Sequence, residues 1–299
     1  MSAEFARRSI RPSFLLLAVA YALVARADAA DLPVRWDELT ASDWPRAMEA
    51  AGRTCLFPIG ILEKHGPHVP MGSDLIQVRE LSARAARKEY VVVFPDYYYG
   101  QIYEARHQPG TFALPPRLVL EMLESTFDEI GRNGFRKIVI LNGHGGNPDL
   151  LRYFVQSQLS RRRDYVVYFY NPAPDPALQE KIKPLTRSDP SGDMHAGESE
   201  TSRVLFLRPD LVQLDRASDE SGQRQNRLSV PDLYTAIWWY ADFPNHYAGE
   251  GGKATHALGQ ALVEDRVDSL ARALRRVKDD DKSLQLQQEF FDRVDKLGR

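Results

Sequence analysis

The stretch ILEKHGPHVPMGSD, residues 61–74, gathers Glu63, His65, His68 and Asp74 among two glycines and two prolines. A second chemical stretch is NGHGGN, residues 142–147, where His144 follows an apolar run and is flanked by glycines. A third is DMHAGESETS, residues 193–202, which adds His195, Glu198 and Glu200 just ahead of a helical pattern. Imidazole nitrogens and carboxylate oxygens are ligands for divalent cations. Cys55 is the only cysteine, so an internal disulfide and a thiolate zinc cage are both excluded. Three such clusters are enough for two ions that share one carboxylate, an arrangement that activates water and stabilises a developing oxyanion. Glu198 and Glu200 have another reading open to them, because carboxylates at a helix start also complement its dipole and cap free N–H groups.

These side chains need elements that bring them together. Four apolar runs have the character of buried strands: CLFPIGIL (55–62), VVVFPDYYY (91–99), KIVILNG (137–143) and YVVYFYN (165–171). Helical patterns alternate with them. DLIQVRELSARAARKE follows the first strand. RLVLEMLESTFDEIGRNG precedes the third, with Gly134 as its stop. PDLLRYFVQSQLSRRR follows the third, with Asn147 as expected N-cap and Pro148 at the first helical position. Continuous apolar strands alternating with helices predict an α/β fold with a mostly parallel sheet covered on both faces. Residues two apart on a strand share a face, so Glu63 and His65 point the same way as the first strand ends. If the first and third strands are neighbours, Glu63, His65, Asp74 and His144 meet beyond the carboxyl ends of the sheet, where open α/β sheets bind ligands. After residue 200, ETSRVLFLRPDLV predicts a helix ending before Pro209. Residues 263–297 predict long helix with an acidic break at Asp279 to Asp281.

The chain has 299 residues, 43% of them apolar, which supports one large folded unit rather than a disordered chain. A formal net charge of −2 gives no basic excess of the kind nucleic-acid binders carry. At the N-terminus, Arg7, Arg8 and Arg11 precede the apolar segment FLLLAVAYALVA (14–25) and the small-residue stretch ARADAA. This pattern predicts a signal peptide over residues 1–29, export to a bacterial periplasm, and no stable membrane insertion after its removal. Residues 31–299 then form the functional domain with a C-terminal helical extension. An uncleaved anchor is the alternative, and the Arg7–Arg8 pair leaves the export route open.

GILEKHGPHVPMGSD, HQPGTFAL, NGHGGN and HAGESETS, in this order, resemble the creatininase (creatinine amidohydrolase) family, and FPNHYAGEGGKATHALGQAL resembles its closing motif. The resemblance spans roughly residues 35–275. It implies a three-layer α/β/α fold with a mostly parallel central sheet, a homohexamer, and two divalent metal ions per subunit, zinc or alternatively manganese or iron. It implies Glu63, His65, Asp74 and His144 as metal ligands with Asp74 bridging, and Glu200 as a further ligand. His195 is implied as the acid/base that protonates the leaving nitrogen, with Glu198 orienting it or sharing its proton work. Creatininase proper carries a ligand glutamate where this chain has Gly146, and a glutamate where it has Met194. Glu200, ahead of Glu198, is the natural replacement for the missing carboxylate. The departures favour a branch other than creatininase proper. YEARHQPGT matches the family's site-lining region imperfectly: Glu104 fits, but Ala105 stands where a histidine is expected and His107 lies two residues on. His107, Tyr99 and Trp238, the last within the aromatic cluster of Trp238, Trp239, Tyr240 and Phe243, are candidate substrate contacts. The expected reaction is hydrolysis of a C–N bond in a small amide, a cyclic amide or formamide. The alternatives are a peptide-trimming enzyme of the same family and an exported binding protein without catalysis.

Overall fold

The computed structural model describes residues 31–297. Its centre is four parallel strands: β1 Thr54–Ile59, β2 Val92–Val93, β3 Lys137–Asn142 and β4 Val166–Tyr170. The order across the sheet is β2-β1-β3-β4, and β1 and β3 pair in register from Thr54 opposite Lys137 to Ile59 opposite Asn142. The first and third apolar runs are therefore neighbours. The second run forms only a short strand: it leaves the ladder after Val93, and a single bridge joins Ile59 to Tyr97 further on.

Alternation along the strands divides the interior in two. Cys55, Phe57, Ile59, Ile138 and Ile140 face one core, and Leu56, Val139 and Leu141 face the other. The first core packs against the helices Pro116–Arg132 and Pro148–Ser157 through Val119, Leu123, Phe127, Leu151 and Phe154. The second packs against Ser73–Lys88, Glu198–Leu207 and His256–Lys278 through Val78, Leu81, Leu207, Val263, Val267 and Leu270. Helices thus cover both faces, giving the α/β sandwich that continuous apolar strands require. Phe57 is fully buried between Phe94, Tyr97 and Phe127; truncating such a ring costs about 3–5 kcal/mol.

In chain order the helices are α1 Trp44–Ala50, α2 Ser73–Lys88, α3 Pro116–Arg132, α4 Pro148–Ser157, α5 Pro176–Ile182, α6 Glu198–Leu207, α7 Trp238–Asp242, α8 His256–Lys278 and α9 Lys282–Leu297. The acidic break is a helix junction, where Asp280 accepts from the Lys282 and Ser283 amides to start α9. Helix α9 docks beside β4 through buried Phe291 and through Gln287, which donates to the Tyr165 carbonyl. Asn147 holds the expected N-cap position of α4, but its side chain makes no cap bond. Its Oδ1 accepts from the Gln101 amide and its Nδ2 donates to Asn142 Oδ1, so it ties the loop after β2 to the end of β3. No helix among the described residues is long and apolar enough to cross a membrane. The expected signal peptide lies outside the described residues.

Candidate metal centre

Two glycines let α2 press against the strand ends. A Cβ on Gly60, just past β1, would meet the backbone of Leu75 at 2.6 Å, and one on Gly143, just past β3, would meet the Asp74 carbonyl at 2.8 Å. Only a residue without a side chain allows this approach. The first turn of α2 therefore lodges between the two strand ends and delivers Asp74 there. Beyond β1 the chain stays extended, and burial alternates from Ile61 to His65, with Glu63 and His65 fully buried and Lys64 turned outward. The period of two has placed both ligand candidates on one side.

Asp74 faces two ways. Its Oδ1 lies 3.2 Å from His65 Nε2, and its Oδ2 lies 3.1 Å from His144 Nδ1. His144 Nδ1 is also 2.7 Å from Glu63 Oε1, and His65 Nε2 is 3.6 Å from Glu200 Oε1. Two donor groups result, Glu63–Asp74–His144 and His65–Asp74–Glu200, with Asp74 common to both; the atoms in each lie within 4.8 Å of one another. Glu63, His65 and His195 form a third such group. Glu200 serves both roles that its position allowed: Oε2 accepts from the Ala196 amide at the start of α6, and Oε1 faces His65.

The charges are tightly interlocked. Burial works to lower the basicity of His65 and His144, but Glu200 and Asp74 around the first, and Glu63 and Asp74 around the second, outweigh it and raise both well above the ordinary histidine value. Burial works to raise Asp74, yet the two histidines hold it well below the usual carboxylate range, and Glu200 falls to about 2 for the same reason, with His65 its main partner. Two buried oxygens, Glu63 Oε1 and Asp74 Oδ2, share the single His144 Nδ1 position, at 2.7 and 3.1 Å, and have no other donor. Buried ionised oxygens short of donors are costly unless a cation takes them. Together with an all-oxygen and imidazole donor set, this fits hard or borderline divalent ions.

His195 lies over this cluster, its ring 4.4 Å from that of His65. Its Nε2 donates to the Lys64 carbonyl at 2.8 Å, and its backbone is held by a two-way bridge to Ala248. Nδ1 therefore carries the lone pair, 3.7 Å from Glu200 Oε2. Burial, ahead of neighbouring charges, lowers its basicity.

Other expected site residues lie elsewhere. Glu198 does not orient His195: its carboxylate accepts from the Arg187 and Ser188 amides and from the Ser188 hydroxyl, all at 2.7–2.9 Å, and so pins the loop ahead of α6. His107 is exposed and bonds the Pro244 carbonyl at 2.7 Å. Tyr99 packs against Tyr97, Tyr98 and Phe112. Trp238 packs edge-to-face against Trp239, and it is Trp239 that reaches the site, edge-on to His195 and His246. Sequence reasoning missed His246, whose Nε2 is 2.5 Å from Glu63 Oε2. Its only signal was its place in FPNHYAGEGG, a few residues after the aromatic cluster.

Gly146 explains why no carboxylate reaches the cluster from that position. A Cβ there would collide with Gln101 Oε1, His144 Nε2 and Glu104 Oε1. The loop carrying Gln101 and Glu104 fills the space a glutamate would need, while Glu200 faces His65 from α6.

A parallel sheet with imidazole and carboxylate side chains converging beyond its strand ends defines an α/β protein with candidate metal-binding clusters. The chain belongs to the creatininase family, whose profile, described as creatinine amidohydrolase, matches residues 37–274. Helix α9 lies beyond that match. The chain is 30% identical over 196 residues to the creatinine amidohydrolase of Pseudomonas putida, covering 61% of this chain and 75% of that protein. It is 29% identical over 247 residues to the 3-dehydro-scyllo-inosose hydrolase of Thermotoga maritima, covering 74% and 76%. It is 32% identical over 168 residues to the mycofactocin precursor peptide peptidase of Mycolicibacterium smegmatis, covering 54% and 60%. Among solved structures, a type II creatininase mutant superposes with a TM-score of 0.68 at 24% identity, covering 82% of this chain and 98% of that one. Creatininase structures of similar likeness include a manganese form and a zinc–zinc form.

Proposed function

We propose that this protein is a divalent-metal-dependent amidohydrolase that cleaves a C–N bond of a small cyclic amide or formamide. The observation that carries the proposal is Asp74, with one oxygen turned to each of two donor groups. Glu63, Asp74 and His144 would hold one ion, and His65, Asp74 and Glu200 the other. Zinc is the expected occupant, with manganese or iron as alternatives. When bound, the ions supply Lewis acidity: they lower the pKa of water and polarise a carbonyl. The remaining chemistry belongs to the chain. His195 Nδ1 takes the proton of the attacking water and passes it to the departing nitrogen. Glu200, near Nδ1, favours the imidazolium between these two events. The Lys64 carbonyl and the Ala248 bridge keep the ring aimed. Glu63, His65 and Asp74 are at most 1% exposed. A substrate must therefore offer its carbonyl on a slender end, which supports a small amide over a long peptide.

Supporting this reading requires loss of hydrolysis of a lactam, formamide and short-peptide panel on chelation, and recovery with Zn²⁺ or Mn²⁺. Full activity after exhaustive metal removal would sink it. Turnover confined to the peptides would make it a peptide-trimming enzyme. Ion binding without any turnover would make it an exported binding protein.

Two further expectations remain proposals. Export to a periplasm follows from residues 1–29 and is checked by N-terminal sequencing of protein from fractionated cells. A homo-oligomer, hexameric by family resemblance, is supported by Leu233, Tyr234 and Ile237, which are 74%, 85% and 54% exposed on one segment. Sedimentation velocity decides it.

A further inference from the structure

Glu63 has two oxygens and two close histidine partners, with His195 Nε2 further off at 3.9 Å from Oε2. Oε1 faces His144 and the ion position shared with Asp74, while Oε2 meets His246 Nε2 at 2.5 Å. On the far side of its ring, His246 Nδ1 receives the Trp239 indole N–H at 2.7 Å. An indole nitrogen is a donor only, so Nδ1 must be the acceptor and the imidazole proton must be on Nε2. The proton then points at Glu63 Oε2, a buried acceptor. We propose that His246 is a positioning residue: Trp239 fixes its tautomer, and it in turn holds Glu63 so that only Oε1 is free to bind an ion.

Three features agree. Among the described residues His246 is absent from every donor grouping that could hold an ion, so it touches the centre through Glu63 rather than as a ligand. It is 2% exposed, and its ring packs at a tilt with its centroid 4.4 Å from that of His195, which restricts its ring plane. Its backbone adopts φ 57°, unfavourable for a residue with a side chain, and its amide bonds the Phe243 carbonyl at 2.9 Å, closing the turn that aims it. Partners that hold a ligand in this way tune affinity by about 10–100-fold.

The inference rests on the metal reading, but part of its test does not. In metal-free protein, long-range ¹⁵N–¹H spectra of the histidines should show His246 as the Nε2–H tautomer, shifting to a mixture in Trp239→Phe. An Nδ1–H tautomer in the wild type overturns the proposal whether or not ions bind. For affinity, Mn²⁺ is titrated into apo-protein in a Glu200→Gln background, which breaks the His65–Asp74–Glu200 group and leaves the groups that contain Glu63 complete. His246→Leu should weaken Mn²⁺ binding there by about 10–100-fold. His246→Gln, which keeps an N–H donor, should recover much of the loss. In a Glu63→Gln background His246→Leu should change nothing. Unchanged affinity in the first background, an equal loss in both, or no advantage of Gln over Leu would overturn it. Failure of wild-type protein to bind Mn²⁺ or Zn²⁺ would instead strike the metal reading alone.

Discussion

Asp74→Asn separates a shared ligand from two independent ones. If Asp74 serves both donor groups, its neutralisation weakens both ions together, whereas Glu63→Gln or Glu200→Gln weakens only one. The size follows from distance. The donor atoms of each group lie within 4.8 Å of one another. At ~4 Å and an effective dielectric constant of about 20, a carboxylate attracts each unit of positive charge by about 4 kcal/mol. For a divalent ion that is about 8 kcal/mol; with about a quarter to a half surviving the cost of desolvation, each ion loses on the order of 2–4 kcal/mol, a roughly 30- to 1000-fold drop in affinity. The assay is calorimetric titration of chelator-stripped protein with Zn²⁺, with metal content read by elemental analysis. The apo-protein's melting temperature is followed alongside to confirm folding. The wild type should take two equivalents, Glu63→Gln and Glu200→Gln one tight equivalent each, and Asp74→Asn none. An Asp74→Asn protein that keeps one ion at wild-type affinity would show that the carboxylate is not shared, and the dinuclear argument would fall.

Three other substitutions test separate parts of the structure. Gly146→Ala should displace His144 against the Gln101–Glu104 loop and weaken the ion at that histidine by about 10–100-fold, as read by chelator competition. Unchanged affinity would mean that the loop yields freely. Glu198→Gln should cost about 1–3 kcal/mol of stability in urea unfolding, because the part-buried donors of Arg187 and Ser188 lose a charged acceptor that is itself buried, with metal stoichiometry intact. Loss of an ion instead would place Glu198 at the centre. Burial lowers His68 to about 4, its Nε2 bonded to the Thr201 hydroxyl at 3.0 Å. Between about pH 6.5 and 4 the unfolded chain binds a proton there that the folded chain refuses. Stability is therefore complete above about pH 6.5 and falls on acidification, by on the order of 2 kcal/mol after discounting for solvent screening. Apo His68→Gln should show a shallower loss between pH 7 and 4.5 than apo wild type, and equal slopes would refute this assignment.

Much of the site was legible because it rests on period-two alternation and two glycine-flanked strand ends. Glu63 and His65 share a side for the reason that any extended segment dictates, and β1 and β3 are continuous apolar runs with no competing reading. What escaped depends on tertiary placement. His246 meets Glu63 across 183 residues of chain, through a left-handed turn that no local pattern announces. Glu198 and Glu200 are two residues apart at one helix start, and only the path of the loop at Arg187 and Ser188 decides which faces inward. Asn147 had the position of a cap but found a stronger use joining Gln101 to Asn142. Trp238 and Trp239 are adjacent in the same cluster, and the short turn of α7 selects the second.

The electrostatics of the cluster explain why one fold can hold it with and without ions. Glu63, Asp74 and Glu200 place three carboxylates in a volume from which water is almost excluded. Without ions, His65 and His144 answer by holding protons, since each is raised well above the ordinary histidine value by the carboxylates around it. Those protons share the geometry of the ions they stand in for: Nε2 of His65 points into one donor group and Nδ1 of His144 into the other. Ion binding is then an exchange in which both rings give up protons and become neutral ligands. Two divalent charges exceed three carboxylate charges by one, so the filled centre is left cationic. In the proposed reaction that surplus would lie beside His195, where a hydrolysed amide would develop negative charge, and it is the same surplus that a protonated, ion-free cluster would lack.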